Sequence, residues 1–113
     1  MFSRSHPGVF QIWLHVALGK GRAAVDAANR VDIRAEPSAP VRSLALLNVA
    51  RGYAYRNDDV ATFHVLRKAE AESPETIAQS GHAREMCREM LRRDRRVISP
   101  DLHEFSRRIG LFE

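Results

Sequence analysis

The apolar residues of this chain recur at the spacing of amphipathic helices. Several segments carry apolar side chains at positions i, i+3, i+4 and i+7, and none alternates apolar and polar residues as a half-buried strand does. The clearest case is the segment 83–91, where apolar residues share one face and arginine and glutamate take the other. The sequence therefore predicts an all-α fold of about six to seven helices.

Helix start and stop signals divide the chain into three parts. Its 113 residues match a single domain, whose usual size is about 100–150 residues. The predicted parts are a helical hairpin at 8–31, a second hairpin at 41–72 and capping helices at 74–110. Asn57 is a good left-handed helix stop and Asp58 a good N-cap, so a tight turn is expected within the second hairpin.

Two Ser-Pro sequences mark further helix starts. Ser73 and Ser99 are each followed by proline and an acidic residue, the pattern of an N-cap followed by a favourable first turn. A short helix is expected after Ser73, with a break at Gly81. The residues expected to face inward on the second helix of the second hairpin and on the last helix are Val60, Phe63, Leu66, Ala69, Leu102, Phe105 and Ile109.

Two prolines have the spacing of a helical repeat. Pro40 and Pro74 are 34 residues apart, and each follows a helix–turn–helix unit, which is the period of tetratricopeptide repeats. In the second unit, small residues at Ala50 and Ala69 allow two antiparallel helices to touch. The sequence predicts one tetratricopeptide-like domain over 1–113, built from antiparallel helical hairpins.

Four stretches give the chain a narrower resemblance. They are LHVALGKGRAAVDAA (14–28), the segment 44–75, HAREMCREMLRR (82–93) and SPDLHEFSRRIGL (99–111). Together they resemble the C-terminal tetratricopeptide-like region of actinobacterial helix-turn-helix transcriptional regulators of the xenobiotic-response-element (XRE) type. In that family the region follows a DNA-reading domain and is assigned to ligand sensing, partner binding or dimerisation. Because only eight residues precede Val9, we expect this chain to contact DNA only indirectly or weakly.

Stacked helical hairpins present a concave face that takes an extended peptide or a partner helix. The residues expected to line this face are Asn48, Arg51, Tyr55 and Arg56. Asn48 and Arg51 are polar in an otherwise apolar helix, which indicates either a buried hydrogen-bonding pair or a recognition surface. The predicted function is therefore a non-catalytic protein- or peptide-interaction or oligomerisation module of a transcriptional regulator.

Two hairpins and a cap leave an apolar end uncovered, because repeat stacks usually need about three units to bury a continuous core. Self-association would close this end, so a homodimer is predicted. The apolar residues expected to take part lie near both termini and are Val9, Ile12, Trp13, Leu111 and Phe112.

An arginine-rich face near the C-terminus supports an alternative function. Its members are Arg84, Arg88, Arg92, Arg95 and Arg96. With a net charge of +4 and a pI near 10.0, this face would suit nucleic-acid phosphates. Glu85 and Glu89 are interleaved with the arginines, however, and the same pattern is typical of a solvated helix face with intrahelical ion pairs.

Several function classes are excluded by what the sequence lacks. The histidines and Cys87 are scattered without metal-ligand spacing, and no nucleophile–base motif or phosphate-binding loop occurs, so no metal, cofactor or catalysis is expected. The longest apolar stretch, 44–50, is far shorter than the roughly 20 residues of a membrane helix. A single cysteine favours a reducing compartment, and we expect a cytoplasmic location.

Overall fold

The structure is a computed structural model that describes residues 19, 21–23, 26, 32–93 and 98–111. A 3-10 helix (Ile33–Ala35) is followed by α1 (Ala39–Tyr55), α2 (Asp59–Glu72), α3 (Pro74–Ala78), α4 (Gly81–Arg93) and α5 (Ser99–Arg108). The predicted all-α fold is confirmed for these residues, and no described helix combines the length and apolar character needed to cross a bilayer. Most of the predicted first hairpin, 8–31, lies outside the described residues.

Helices α1 and α2 pack against each other in antiparallel orientation. The hydroxyl of Ser43, near the start of α1, donates a 2.8 Å hydrogen bond to the carbonyl of Ala69, near the end of α2. The turn between them has the predicted form: Asn57 has a left-handed φ of 56°, and the Asp58 carboxylate accepts a 3.2 Å hydrogen bond from the Ala61 N–H. Local sequence signals therefore position both helices.

The contact between α1 and α2 consists of small residues. Ala45, Ala50 and Ala69 are completely buried, which lets the two backbones approach closely. The prediction that Val60 faces inward is wrong, since its side chain is 54% exposed. Val60 lies about 120° around the helix from the buried Leu66, so the inward position in the first turn of α2 falls to Asp59 instead.

A serine precedes each of α3 and α4, but only the serine before α4 caps its helix. The hydroxyl of Ser73 does not cap the backbone of α3 and instead lies 2.7 Å from Thr76 Oγ1. The hydroxyl of Ser80 accepts a 3.1 Å hydrogen bond from the Ala83 N–H, so α4 starts at Gly81, and the predicted break at this glycine falls two residues earlier.

Helix α5 starts one residue earlier than predicted. Its cap residue is Ile98, whose carbonyl accepts a 2.8 Å hydrogen bond from the Leu102 N–H, so Ser99 is the first helical residue rather than the N-cap. The end of α5 is as predicted, at Gly110 with a φ of 80°.

All five α-helices contribute buried side chains to the core. The rings of Phe63 and Phe105 meet edge to face with centroids 5.7 Å apart. The apolar faces predicted for α4 and α5 are buried except at Leu91, which is partly buried against the core. The buried members are Ala83, Met86, Cys87, Met90, Leu102, Phe105 and Ile109. This packing fixes the position of α4 beside the C-terminal half of α1.

Candidate binding groove

A groove runs between the C-terminal half of α1 and one side of α4. It has two adjoining parts that share Ala54, Glu85 and Met86. The more enclosed part has a volume of about 200 Å³ and extends along α4 to Arg93. The more open part has about 150 Å³ and extends to His82, near the other end of α4. We refer to both parts together as the α1–α4 groove.

The floor of the α1–α4 groove is made of methionine. Met86 is 8% exposed and Met90 is 1% exposed, and both line the enclosed part. These side chains belong to the apolar face that packs α4 onto the core. Because methionine is flexible and polarizable, such a floor adapts to apolar side chains of different shapes.

A partly buried ion pair lies in the enclosed part, where α2 begins and α4 ends. The Arg93 guanidinium donates two hydrogen bonds, of 2.8 and 2.6 Å, to the carboxylate of Asp59. The Asp59 side chain is 1% exposed, whereas that of Arg93 is 31% exposed. Hydrogen bonding to Asp59 raises the pKa of Arg93, so this guanidinium keeps its charge.

Sequence reasoning did not find this ion pair. The sequence pattern assigned Asp58 to the N-cap of α2, gave Asp59 no partner, and paired Arg93 with Glu89 at i, i+4 spacing. In the structure Arg93 lies 3.9 Å from Glu89 and makes its short contacts with Asp59. The sequence shows only that the acidic residue Asp59 follows the N-cap Asp58. This pattern does not indicate which cation Asp59 contacts.

The structure brings together some of the residues predicted for the concave face. Arg51 and Tyr55 line the open part of the α1–α4 groove, and Tyr55 is 51% exposed. Asn48 is buried at 8% exposure and accepts a 3.4 Å hydrogen bond from Arg51 Nη1. Each of the two interpretations, a buried hydrogen-bonding pair and a recognition surface, is therefore met in part. Asn48 is buried and accepts a hydrogen bond from Arg51, and Arg51 also lines the groove. Arg56 is exposed in the turn after α1 and is not among the described lining residues.

The open part of the groove carries little positive charge beyond Arg51. Burial, with a further contribution from the Arg51 charge, lowers the pKa of His82 below its ordinary value. The lowered pKa favours the neutral form of the His82 imidazole near pH 7.

The described members of the arginine-rich face all have partners. Arg84 Nη1 donates a 2.7 Å hydrogen bond to the carbonyl of Ala78 at the end of α3. The other two make ion pairs along α4, Arg88 with Glu85 at 3.3 Å and Arg92 with Glu89 at 2.6 Å. Arg95 and Arg96 lie outside the described residues. Intrahelical pairing therefore offsets the charge of the described part of this face.

The residues predicted for self-association are mostly outside the described part of the chain. This holds for Val9, Ile12, Trp13 and Phe112. Leu111 is described, and its half-buried side chain packs against the core that contains Phe105. This contact already covers part of the apolar surface that Leu111 would offer to a second copy.

The thiol of Cys87 is the strongest intrinsic nucleophile among the described side chains, but its surroundings disfavour the reactive thiolate form. Its side chain is fully buried, and burial raises the pKa of the thiol to about 11. Within the described ranges, no three His, Cys, Asp or Glu residues are grouped so that they could hold a metal ion. In comparisons with family models, with curated proteins and with solved structures, the chain matches none of them.

Proposed function

We propose that this chain is a non-catalytic interaction module that binds a protein or peptide partner in the α1–α4 groove. The observation that carries the proposal is the apolar floor of Met86 and Met90 between polar walls, beside the half-exposed ring of Tyr55. An apolar floor with a polar rim is the usual surface for a partner helix or an extended peptide.

The proposal places this module in a transcriptional regulator of the XRE type, as a tetratricopeptide-like regulatory or oligomerisation region in the cytoplasm. Support comes from the antiparallel α1–α2 pair with Ala50 and Ala69 buried, and from Pro74 at the start of the next helix. A homodimer formed through the apolar ends of the domain belongs to the same proposal.

Nucleic-acid binding by the arginine-rich face is the alternative function, and it has less support than partner binding in the groove. Arg84 donates a hydrogen bond to the carbonyl of Ala78 at the end of α3. Arg88 and Arg92 form ion pairs with glutamates on α4. Two of these three arginines are paired with neighbouring glutamates, so the described part of this face carries little unbalanced positive charge for a phosphate backbone.

The groove is tested with a pair of arginine substitutions. Ala54→Arg places a long side chain at the wall shared by both parts of the groove, while Val60→Arg adds the same charge on the exposed side of α2. Peptides are selected from a random display library on the wild-type chain, and their affinity for each variant is measured by fluorescence anisotropy. We expect at least tenfold weaker binding to Ala54→Arg and an unchanged affinity for Val60→Arg.

A thermal melt of each variant verifies that it is folded, and Tyr55→Ala, which removes an exposed ring without adding bulk, provides a second variant. This variant should weaken the same peptides severalfold. The proposal fails if selected peptides bind both groove variants as tightly as the wild type, or if the library yields no binder above the bare support.

A further inference from the structure

We propose that the partner segment is cationic: an apolar side chain lies over Met86 and Met90, and a neighbouring lysine or arginine contacts Glu85 and Glu89. This inference rests on the proposed function and adds the chemistry of the partner. It follows from the charges and the size of the enclosed part of the α1–α4 groove.

Among the described residues that line the enclosed part, carboxylates outnumber cations. Asp59 and Arg93 neutralise each other through two short hydrogen bonds. The other charged groups among its described lining residues are Glu85 and Glu89, which are one helical turn apart on α4. Ala54 and Asn57, contributed by α1 and the turn after it, are uncharged. Glu85 and Glu89 therefore face the groove, whereas their ion-pair partners Arg88 and Arg92 are not among its described lining residues.

The two glutamates are available to a new partner because their present ion pairs are exposed. The side chains of Arg88 and Glu85 are 55% and 62% exposed. Arg92 is 72% exposed and its partner Glu89 39%, and Glu89 also lies 3.9 Å from Arg93. Exposed pairs of this kind are worth about 0–1 kcal/mol, so exchanging them costs little. A cation held over the methionine floor is partly shielded from water, which strengthens its attraction to the carboxylates.

The open part of the groove offers few positive charges to an anionic partner. Arg51 is the described cation there, and it already donates a hydrogen bond to Asn48. His82 adds little positive charge near neutral pH, because burial and Arg51 lower its pKa. This part is also the smaller and more open of the two, so a charge placed in it stays better hydrated.

The size of the enclosed part favours a side chain over a small-molecule ligand. Its volume of about 200 Å³ is below the roughly 300–1,000 Å³ of typical small-molecule pockets. It accommodates one aliphatic or aromatic side chain of a longer segment, whose neighbouring residues then reach the rim. The glutamates lie on that rim.

The test uses two sets of fluorescein-labelled 12-residue peptides that differ only in charge. Each peptide carries one leucine or phenylalanine in a glycine–serine background, flanked by two lysines in one set and by two glutamates in the other. Anisotropy titrations compare the wild-type chain with Glu85→Gln/Glu89→Gln. The matched control is Glu75→Gln/Glu104→Gln, which removes two exposed carboxylates outside the described groove lining and gives the same net charge.

We expect the lysine set to bind the wild type at least tenfold more tightly than the glutamate set. The double substitution at Glu85 and Glu89 should weaken the lysine set at least fivefold, while the control pair leaves its affinity within twofold. Equal weakening by both double variants would overturn the inference, because it would report net charge rather than the groove.

The outcome also separates this inference from the proposed function. If library peptides bind in a way that Ala54→Arg abolishes but carry no enriched lysine or arginine, the groove binds a partner and the cationic inference is wrong. The same holds if the glutamate set binds more tightly than the lysine set. If neither defined set nor any library peptide binds in a manner that depends on the groove, both proposals fail.

Discussion

Asp59 connects the start of α2 with the end of α4 and lines the enclosed part of the groove. Its side chain is 1% exposed, and a buried carboxylate is tolerated only when a cation and hydrogen bonds compensate for lost hydration. Arg93 supplies both, and at 31% exposure it retains part of its own hydration. A residue 34 positions away in sequence thereby fixes the end of the helix that carries Glu89.

We predict that Asp59→Asn lowers the free energy of unfolding by about 1–3 kcal/mol, because the two short hydrogen bonds from Arg93 lose their charged acceptor. Glu85→Gln removes an exposed pair with Arg88 and should cost less than about 0.5 kcal/mol. Urea denaturation of the two variants measures both values. Similar costs for the two changes would mean that the Asp59–Arg93 pair contributes no more than a surface pair.

The thiol of Cys87 makes stability depend on alkaline pH. Its pKa is about 11 in the folded chain and near 9.0 when exposed, so the folded state retains a proton that the unfolded state loses. Stability is therefore complete below pH 9 and falls as the pH rises towards 11, by about 2–3 kcal/mol at most. Urea denaturation at pH 8 and pH 10.5 measures the loss.

The control for this pH effect is Cys87→Ala, which has no titrating thiol. It should be somewhat less stable than the wild type at pH 8, because the substitution leaves a small cavity, and its stability should change less between pH 8 and pH 10.5. Parallel pH dependence of the two proteins would assign the alkaline loss to other groups, such as tyrosines and lysines.

At the scale of elements, the helical residues 21–23 approach α1 at a pair of glycines. Gly21 lies against Gly52, so no side chain separates the two backbones. A Cβ atom built on Gly21 would lie 2.6 Å from the Gly52 carbonyl oxygen and 2.9 Å from the Tyr55 Cβ. Both atoms belong to or adjoin the backbone of α1, so they cannot move aside at low cost. Tyr55 takes part in this contact and also lines the open part of the groove.

We predict that Gly21→Ala destabilises the chain by about 1–3 kcal/mol, since the added methyl group overpacks the contact with α1. Gly81→Ala is the matched change: nothing lies within 4 Å of its Cβ position, so the effect should be neutral or stabilising by up to about 1 kcal/mol. Thermal melts of both variants give the comparison. A Gly21→Ala protein as stable as the wild type would show that the two segments do not pack as described.

The sequence predicts these elements well where the signals are local. Asn57 and Asp58 define their turn through their own backbone and side-chain preferences, and the apolar period of α4 identifies its buried face. The ion pair between Asp59 and Arg93 escapes such reasoning because it depends on how α4 packs against α2. Periodicity alone likewise assigned Val60 to the core, since the choice between Val60 and Asp59 is made by the neighbouring helix.

At the scale of the whole molecule, the net charge of +4 does not amount to a uniform basic surface. Arg108 pairs with Glu70 through hydrogen bonds of 3.1 and 2.8 Å, and Arg42 pairs with Glu72 at 2.9 Å. These pairs connect helices to one another, so much of the described arginine content stabilises the arrangement of the helices. A phosphate backbone would find few described arginines that are concentrated on one face and also unpaired.

We therefore predict no saturable binding of a random DNA duplex of roughly 30 base pairs at physiological salt, and weak binding at most at low salt, as measured by fluorescence anisotropy. Arg88→Gln/Arg92→Gln should leave that residual signal unchanged relative to Arg34→Gln/Arg107→Gln, which removes the same charge from exposed sites elsewhere. Micromolar binding that falls steeply with salt, and that only the first pair abolishes, would transfer the function from the groove to the arginine-rich face. Such a result would also mean that phosphate displaces Glu85 and Glu89 from their arginines, which exposed pairs of this strength permit.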